Sequence, residues 1–385
     1  MRQALVVFLV LAVACAARAQ RPPPCGRTAW PHWSRYVDAF ISPDGRVIER
    51  SAADRTTSEG EAYALFFALV AGDRPLFDRL LKWSQENLAQ GDLTRHLPAW
   101  NWGKRRDASW GVVDPNSASD ADLWMAYALL EAGRLWSEPR YGDIARQILS
   151  NVVAREVSDL PGLGPTLLPG PAGFVLSGDR GVRLNPSYLP PQILRRFSSA
   201  AVPGPWDAVV SSSIRTLRET ARSGAMADWV LYRPRRGFAP DPVHGSVGSY
   251  DAIRVYLWIG MLSDQEPAAG QLTRALGGLL RQLKETGKLP ERIDVLSGRA
   301  GGTAPVGFYG ALLPLARAAS DEPSLKALQD RVAAGEKNGL YGDPPAYYDQ
   351  NLILFARGFL DGRFRFDADG TLHTSWETQC LGRER

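Results

Sequence analysis

Apolar helical stripes alternate with polar, glycine-marked breaks over most of the chain. Trp30, Trp33, Tyr36, Val37 and Phe40 keep helical spacing, and Ser42-Pro43-Asp44-Gly45 then reads as a turn. Ala62, Leu65, Phe66 and Leu69 recur at i, i+3, i+4, i+7, one buried helix stripe. Ser58 with Glu61 three residues on reads as the capping box that opens this helix. Further helical faces run through Leu76, Leu80, Leu81 and Trp83, through Ala121 to Trp136, and through Ile144, Ile148 and Val152. Others fall at 191–197, 206–217, 250–262, 269–283, 308–318, 325–334 and 348–359. Residues 85–114 are irregular and aromatic. The Gly- and Pro-rich stretch 161–185 holds a short hairpin, and 364–373, centred on Asp369-Gly370, reads as a terminal one. About twelve helices with short connections and almost no strand predict a single all-α domain. Alternation of inward and outward helices in a closed toroid fits that count; on periodicity alone a bundle or open superhelix fits nearly as well.

The first 19 residues are a separate object. Arg2 forms a short basic region, Ala4 to Ala14 an apolar run, and Ala17-Arg18-Ala19 a small-x-small cleavage site. This pattern is a secretory signal peptide, too short for a membrane span. It leaves residues 20–385 as one domain. Ala12-Val13-Ala14 before Cys15 lacks the leucine usual in a lipoprotein signal. No later apolar run reaches membrane length, so no membrane insertion is expected after cleavage, and the destination is the periplasm or the exterior.

Composition adds exclusions. The chain is 45% hydrophobic and 22% charged, as expected of a globular protein. Loss of Arg2 and Arg18 takes the formal net charge from +4 to +2. The basic clusters Lys104-Arg105-Arg106 and Arg233-Pro234-Arg235-Arg236 are isolated, which suits solvated loops better than a nucleic-acid surface. The four His and the two mature Cys, Cys25 and Cys380, show no ligand spacing, so no metal site is expected. An oxidising compartment and a closed toroid, which brings its ends together, predict a Cys25–Cys380 disulfide.

Candidate chemistry gathers at three helix starts. Glu59 lies in the first turn beside Gly60 and serves neither cap nor stripe. It either complements the helix dipole or faces a ligand that the glycine lets approach. Ser119-Asp120-Ala121-Asp122 and Ser249-Tyr250-Asp251-Ala252 repeat the design, which suggests one shared mouth. Trp124 and Trp136 read as core. Trp100-Asn101-Trp102, between Pro98 and Gly103, reads as a loop. Loop aromatics on a rigid scaffold are often functional. A flat ring with a polar edge matches the C–H face of a pyranose. Carboxylates flanked by such rings are what glycosidic cleavage needs, one protonated and one ionised. The helix dipole depresses the pKa of Glu59, and a nearby carboxylate such as Asp120 raises it.

Six motifs carry a resemblance. They are Thr-Ser-Glu-Gly-x-x-Tyr (57–63), Leu-Pro-Ala-Trp-x-Trp-Gly (97–103), Ser-Ala-Ser-Asp-Ala-Asp-Leu-Trp (117–124), Asn-Pro-Ser-Tyr (185–188), Tyr-Asp-Ala-Ile-Arg-Val (250–255) and Tyr-Tyr-Asp-Gln (347–350). Together they resemble family 8 glycoside hydrolases, above all the periplasmic endoglucanases of bacterial cellulose-synthase operons. Similarity runs from about Trp30 to Phe359. The resemblance implies an (α/α)6 barrel with short hairpin insertions, inversion at the anomeric carbon, β-1,4-glucan as substrate and no cofactor. It implies Glu59 as general acid and Asp251 as the base that activates water. Asp120 holds the distorted sugar and tunes Glu59, since an inverting enzyme forms no covalent intermediate. Arg254 keeps Asp251 ionised or binds a hydroxyl. Tyr63, Trp100, Trp102, Tyr188, Tyr250 and Tyr347 become subsite residues. Asp122 and Glu61 are given duller roles as cap partners. Asn101 and Glu61 depart from the family pattern, which has a larger apolar residue and Gln there. Other expectations are a monomer and an association with the cellulose synthase complex. The same fold also serves xylanases and chitosanases. A non-catalytic glucan-binding protein would share the aromatics but should have lost a carboxylate, and none of the three is missing.

Overall fold

The computed structural model describes residues 29–377. The signal peptide, Cys25 and Cys380 lie outside them. Thirteen α-helices follow in order: α1 Pro31–Phe40, α2 Ser58–Val70, α3 Arg74–Leu88, α4 Ser119–Leu135, α5 Pro139–Glu156, α6 Pro191–Ser199, α7 Trp206–Thr220, α8 Ile253–Gly260, α9 Ala269–Ala275, α10 Gly278–Thr286, α11 Val306–Ala318, α12 Glu322–Ala334 and α13 Tyr347–Leu360. Proline opens several of them (Pro31, Pro75, Pro139, Pro191, Pro323), where its missing N–H costs nothing. Asp73 and Asp321 cap α3 and α12 through the backbone N–H groups of Leu76 and Ser324.

Helices α2, α4, α6, α8, α11 and α13 form the inner ring. Outside them α3 packs on α2, α5 on α4, α7 on α6, α9 on α8, α12 on α11 and α1 on α13. Sequence polarity sorts the two layers. Helices α2, α4, α8, α11 and α13 are buried nearly all round, whereas α3, α5 and α7 bury one stripe. This is the (α/α)6 toroid. Where α8 and α11 meet, a Cβ on Gly260 would stand 2.2 Å from the Leu315 nitrogen, so only glycine permits that approach.

The ring is filled by aromatic side chains. Phe355 of α13 lies 4.6 Å from Phe67 and 5.0 Å from Tyr63, both of α2, 4.9 Å from Trp124 of α4 and 5.2 Å from Trp258 of α8, centroid to centroid. Such offset and edge contacts add to area burial. Trp124 is thus core, as its helical spacing implied, and Trp136 packs on Phe77 and Tyr141 beside it.

Strand content exceeds the sequence expectation. Sixteen short strands, two to five residues each, occur among the described residues in the connections between helices and after the last one. The hairpin expected within 161–185 is present, with Val175 opposite Val182. It is half of a four-stranded sheet completed by Val230–Arg233 and Gly237–Pro240. The terminal hairpin pairs Phe364 with Thr374. Trp100-Asn101-Trp102 is not all loop: Asn101–Lys104 is a strand pairing with Thr56–Thr57 on one side and Trp110–Asp114 on the other. The Arg233–Arg236 cluster is the turn of a hairpin, and Lys104, Arg105 and Arg106 are exposed.

Candidate active site

Two cap expectations fail. The side chain that caps α2 is Thr57, whose Oγ1 accepts from the Gly60 N–H at 3.2 Å; Ser58 is already helical and buried. Glu61 points inward instead, accepting the Val47 N–H at 2.7 Å, and burial pushes its carboxyl well above the usual range. Asp122 caps nothing either. It lies fully buried, pushed well up by that burial and then by neighbouring Glu156, which itself rises to about 7 through burial. Helix α4 has no side-chain cap. The space above Gly60 is not left for a ligand: a Cβ there would stand 2.2 Å from the Tyr347 hydroxyl.

The shared mouth is real, and its centre is a cation. Arg254, only 2% exposed, is the second residue of α8. Its Nη1 donates to Glu59 Oε2 at 2.6 Å and to Asp120 Oδ2 at 2.9 Å. Its Nη2 donates to Asp251 Oδ1 at 2.8 Å and to Ser187 Oγ at 3.0 Å. One guanidinium therefore binds acids from α2, α4 and the turn before α8, a use that its rigid fork of donors suits. Asp120 also accepts the Ala121 N–H at 2.8 Å. Burial pushes Glu59 up to about 7, against the pull of Arg254 and with help from Asp120 and Asp251. Asp120 rises to about 6, again through burial. Burial thus lifts both of these neighbouring acids, the kind of perturbation that marks candidate acid–base sites. Glu59 and Asp251 still reach solvent, their side chains 21% and 35% exposed.

Several supporting residues were not legible beforehand. Ser187 lies in the Asn-Pro-Ser-Tyr motif, whose turn is fixed by Asn185 Oδ1, which accepts from the Ser187 N–H and hydroxyl, and by Trp258 Nε1 on the Ser187 carbonyl at 2.9 Å. Asp228 accepts the N–H groups of Ser249 and Ala252 at 2.8 and 2.7 Å, clamping the turn that presents Asp251; burial raises it to about 6. Trp229 Nε1 donates to Asp251 Oδ2 at 3.1 Å. Asp228 and Trp229 carried no periodicity or spacing that marked them.

The aromatic candidates divide. Tyr188 lies beside the cation, its ring 5.5 Å from the Arg254 carbon. Trp100 is tied between two of the three acid-bearing helix starts: its carbonyl accepts the Ser58 N–H and its N–H donates to the Asn116 carbonyl, just ahead of α4. Tyr250 is 47% exposed beside Asp251, against Phe308 and Tyr348. Tyr347 is buried against Gly60 and Phe40. Tyr63, 1% exposed, packs edge-on to Trp124, Trp258 and Phe355, so the structure places it in the floor beneath the acids rather than on the cleft surface. Trp102 stacks with Trp110 at 5.4 Å, and the Arg46 guanidinium lies against both rings, 4.4 and 4.9 Å from their centroids; of the two, Trp110 is the more open, 45% exposed.

An inner mouth of three carboxyl groups around one arginine, rimmed by tryptophan and tyrosine on a toroid of paired helices, defines a polysaccharide-cleaving type of protein. Comparison with known sequences narrows the class. The profile of glycosyl hydrolases family 8 matches residues 7–362. An endoglucanase of Xanthomonas axonopodis pv. citri (strain 306) is 46% identical over 370 residues, covering 96% of this chain and 94% of that protein. An endoglucanase of Escherichia coli (strain K12) is 41% identical over 99% of this chain and 98% of its own. The crystal structure of an endo-1,4-D-glucanase from Vibrio fischeri ES114 superposes with a TM-score of 0.82 at 40% identity, covering 90% of this chain and 99% of that one. The chain belongs to family 8 and is a glycoside hydrolase.

Proposed function

We propose that the protein is an endo-β-1,4-glucanase that cleaves internal bonds of cellulose with inversion, exported to the periplasm by its signal peptide and working alongside bacterial cellulose synthesis. The observation that carries the chemistry is the single Arg254 guanidinium to which Glu59, Asp120 and Asp251 are all bonded. The substrate class rests on the endoglucanase relatives. In the proposed reaction the glucan lies across the mouth on Trp100, Tyr188 and Tyr250. Glu59, protonated up to about pH 7, gives its proton to the glycosidic oxygen as the bond from the anomeric carbon breaks. Asp251 takes a proton from a water whose oxygen attacks that carbon from the opposite face. Asp120 receives sugar hydroxyls and, by its charge, keeps Glu59 protonated. Arg254 offsets the charge of the acids that stay ionised and separates Glu59 from Asp251 by the width of its own group. Room for a water between acid and base is the inverting arrangement, about 6.5–9.5 Å between carboxyl groups.

Two measurements test the reading. Reducing-end release should be high on carboxymethylcellulose and low on xylan and chitosan; the reverse order would assign the same machinery to another β-1,4-linked polymer. NMR of the first product should show the α-anomer, whereas a β-anomer burst would mean retention and make one aspartate a nucleophile.

A further inference from the structure

The indole of Trp229 is built into the base site in a way that core packing does not require. Its Nε1 donates to Asp251 Oδ2 at 3.1 Å, while Arg254 Nη2 holds the other oxygen, Oδ1, at 2.8 Å. Two donors on two oxygens fix the plane of a carboxylate that is otherwise 35% open to solvent. The ring is itself clamped. Phe174 lies 5.8 Å away on a plane tilted by only 6°, and His244 lies 5.9 Å away at 22°. The Arg183 guanidinium stands 4.9 Å from the indole centroid and is anchored on Asp241, to which it donates at 2.6 and 3.2 Å. Asp241 in turn accepts the N–H groups of Val243 and His244, which fixes the loop that carries the His244 ring. Meanwhile Asp228, the residue before Trp229, clamps the Ser249–Ala252 turn. One strand start thus orients both the backbone and the carboxylate of Asp251.

We infer that Trp229 is a positioning residue for the proposed base: its N–H sets the rotation of the Asp251 carboxylate and leaves the outward lone pair of Oδ2 for the attacking water. The inference rests on the reading of Asp251 as base. It also assigns work to Phe174, His244 and Arg183, which hold the indole and touch neither Asp251 nor Arg254 by any hydrogen bond among the described residues. The other charged or titratable groups facing Asp251 are Arg254, Glu59, Asp120, Asp228, Tyr188 and Tyr348, all retained in the test.

Trp229→Phe keeps a ring for the clamp and removes the donor. Its kcat on cellulose should fall about ten- to thirtyfold with KM within about twofold, because the contact matters to water activation and not to sugar binding. In an Asp251→Asn background the same substitution should add nothing, the mark of two residues acting as a unit. His244→Ala, at an exposed position where folding is not at stake, frees one face of the indole and should lower kcat severalfold, again with KM nearly unmoved. Wild-type kcat in both Trp229→Phe and His244→Ala, with Asp251→Asn inactive, would overturn the inference. So would a rise in KM alone, which would make Trp229 a sugar platform. Near wild-type activity in Asp251→Asn would instead remove the base assignment itself. Should Trp229→Phe fail to fold, the His244→Ala kinetics decide.

Discussion

Glu59 carries the clearest consequence of the charge arrangement around Arg254. Its carboxyl is held up to about 7 by burial first, with Asp120 and Asp251 adding to the rise and Arg254 opposing it. Glu59→Gln keeps the shape and the contact with the cation but has no proton to give. Turnover should fall by about two to four orders of magnitude while glucan binding survives; activity within a few-fold of wild type would remove Glu59 from the acid role. The working form is protonated, so kcat/KM should be lost as pH rises through about 7. Asp120→Asn deletes one of the charges that raise Glu59, so the alkaline limb should shift to lower pH beyond any drop in kcat. A limb that stays in place would mean that Asp120 does not tune the acid.

At the scale of elements, the α2 start shows what a sequence can and cannot disclose. The helix and the first-turn carboxylate of Glu59 were legible, because a 3.6-residue period and first-turn acids are local properties; the one stripe read from Ala62, Leu65, Phe66 and Leu69 is in fact a helix buried nearly all round. The cap was assigned one residue too late, since Thr57 and Ser58 are both good cap residues and the strand pairing of Thr56–Thr57 with Asn101–Trp102 decides between them. Glu61 and Asp122 were misread for a related reason: their partners, Val47 and Glu156, belong to distant segments. Apart from the two expected hairpins, the short strands carry no sequence signal, because two- to five-residue runs are set by neighbours, not by their own pattern. Gly60 gives a direct test. Gly60→Ala adds a methyl into the Tyr347 hydroxyl and should cost about 1–3 kcal/mol, read by denaturant unfolding. Gly301→Ala, with nothing within 4 Å of the new Cβ, should be nearly neutral. Equal stability in the two variants would show that Tyr347 yields freely.

At the scale of the whole molecule, stability should depend on pH in an unusual direction. Glu59 and Glu156 rise to about 7, and Asp120, Asp228 and Asp349 to about 6, all first through burial. Unfolded, such groups titrate near about 4. A raised folded value means stability fully present below the unfolded value and lost as pH rises through the folded one. The melting temperature should therefore be higher at pH 5 than at pH 8; the opposite order would mean that these buried acids are ionised in the folded protein at no cost. The described chain also begins and ends at one region of the barrel. Trp30 packs on Phe67 and beside Arg363, and Trp376 donates to the Leu69 carbonyl, so both ends meet the far half of α2. That closeness supports the proposed Cys25–Cys380 disulfide. Titration of denatured, unreduced mature protein should find no reactive thiol, and two per chain would refute the bond.

The placement of Phe355 has a consequence for the life of the chain before it is folded. The ring that touches Tyr63, Phe67, Trp124 and Trp258 is contributed by α13, the final inner helix. During synthesis α2, α4 and α8 emerge before their common neighbour; Tyr63, Trp124 and Trp258 can meet one another, but the ring that all of them share arrives only with the last inner helix. The centre of the barrel is thus completed only when nearly the whole chain has been made, which suits the export proposed above.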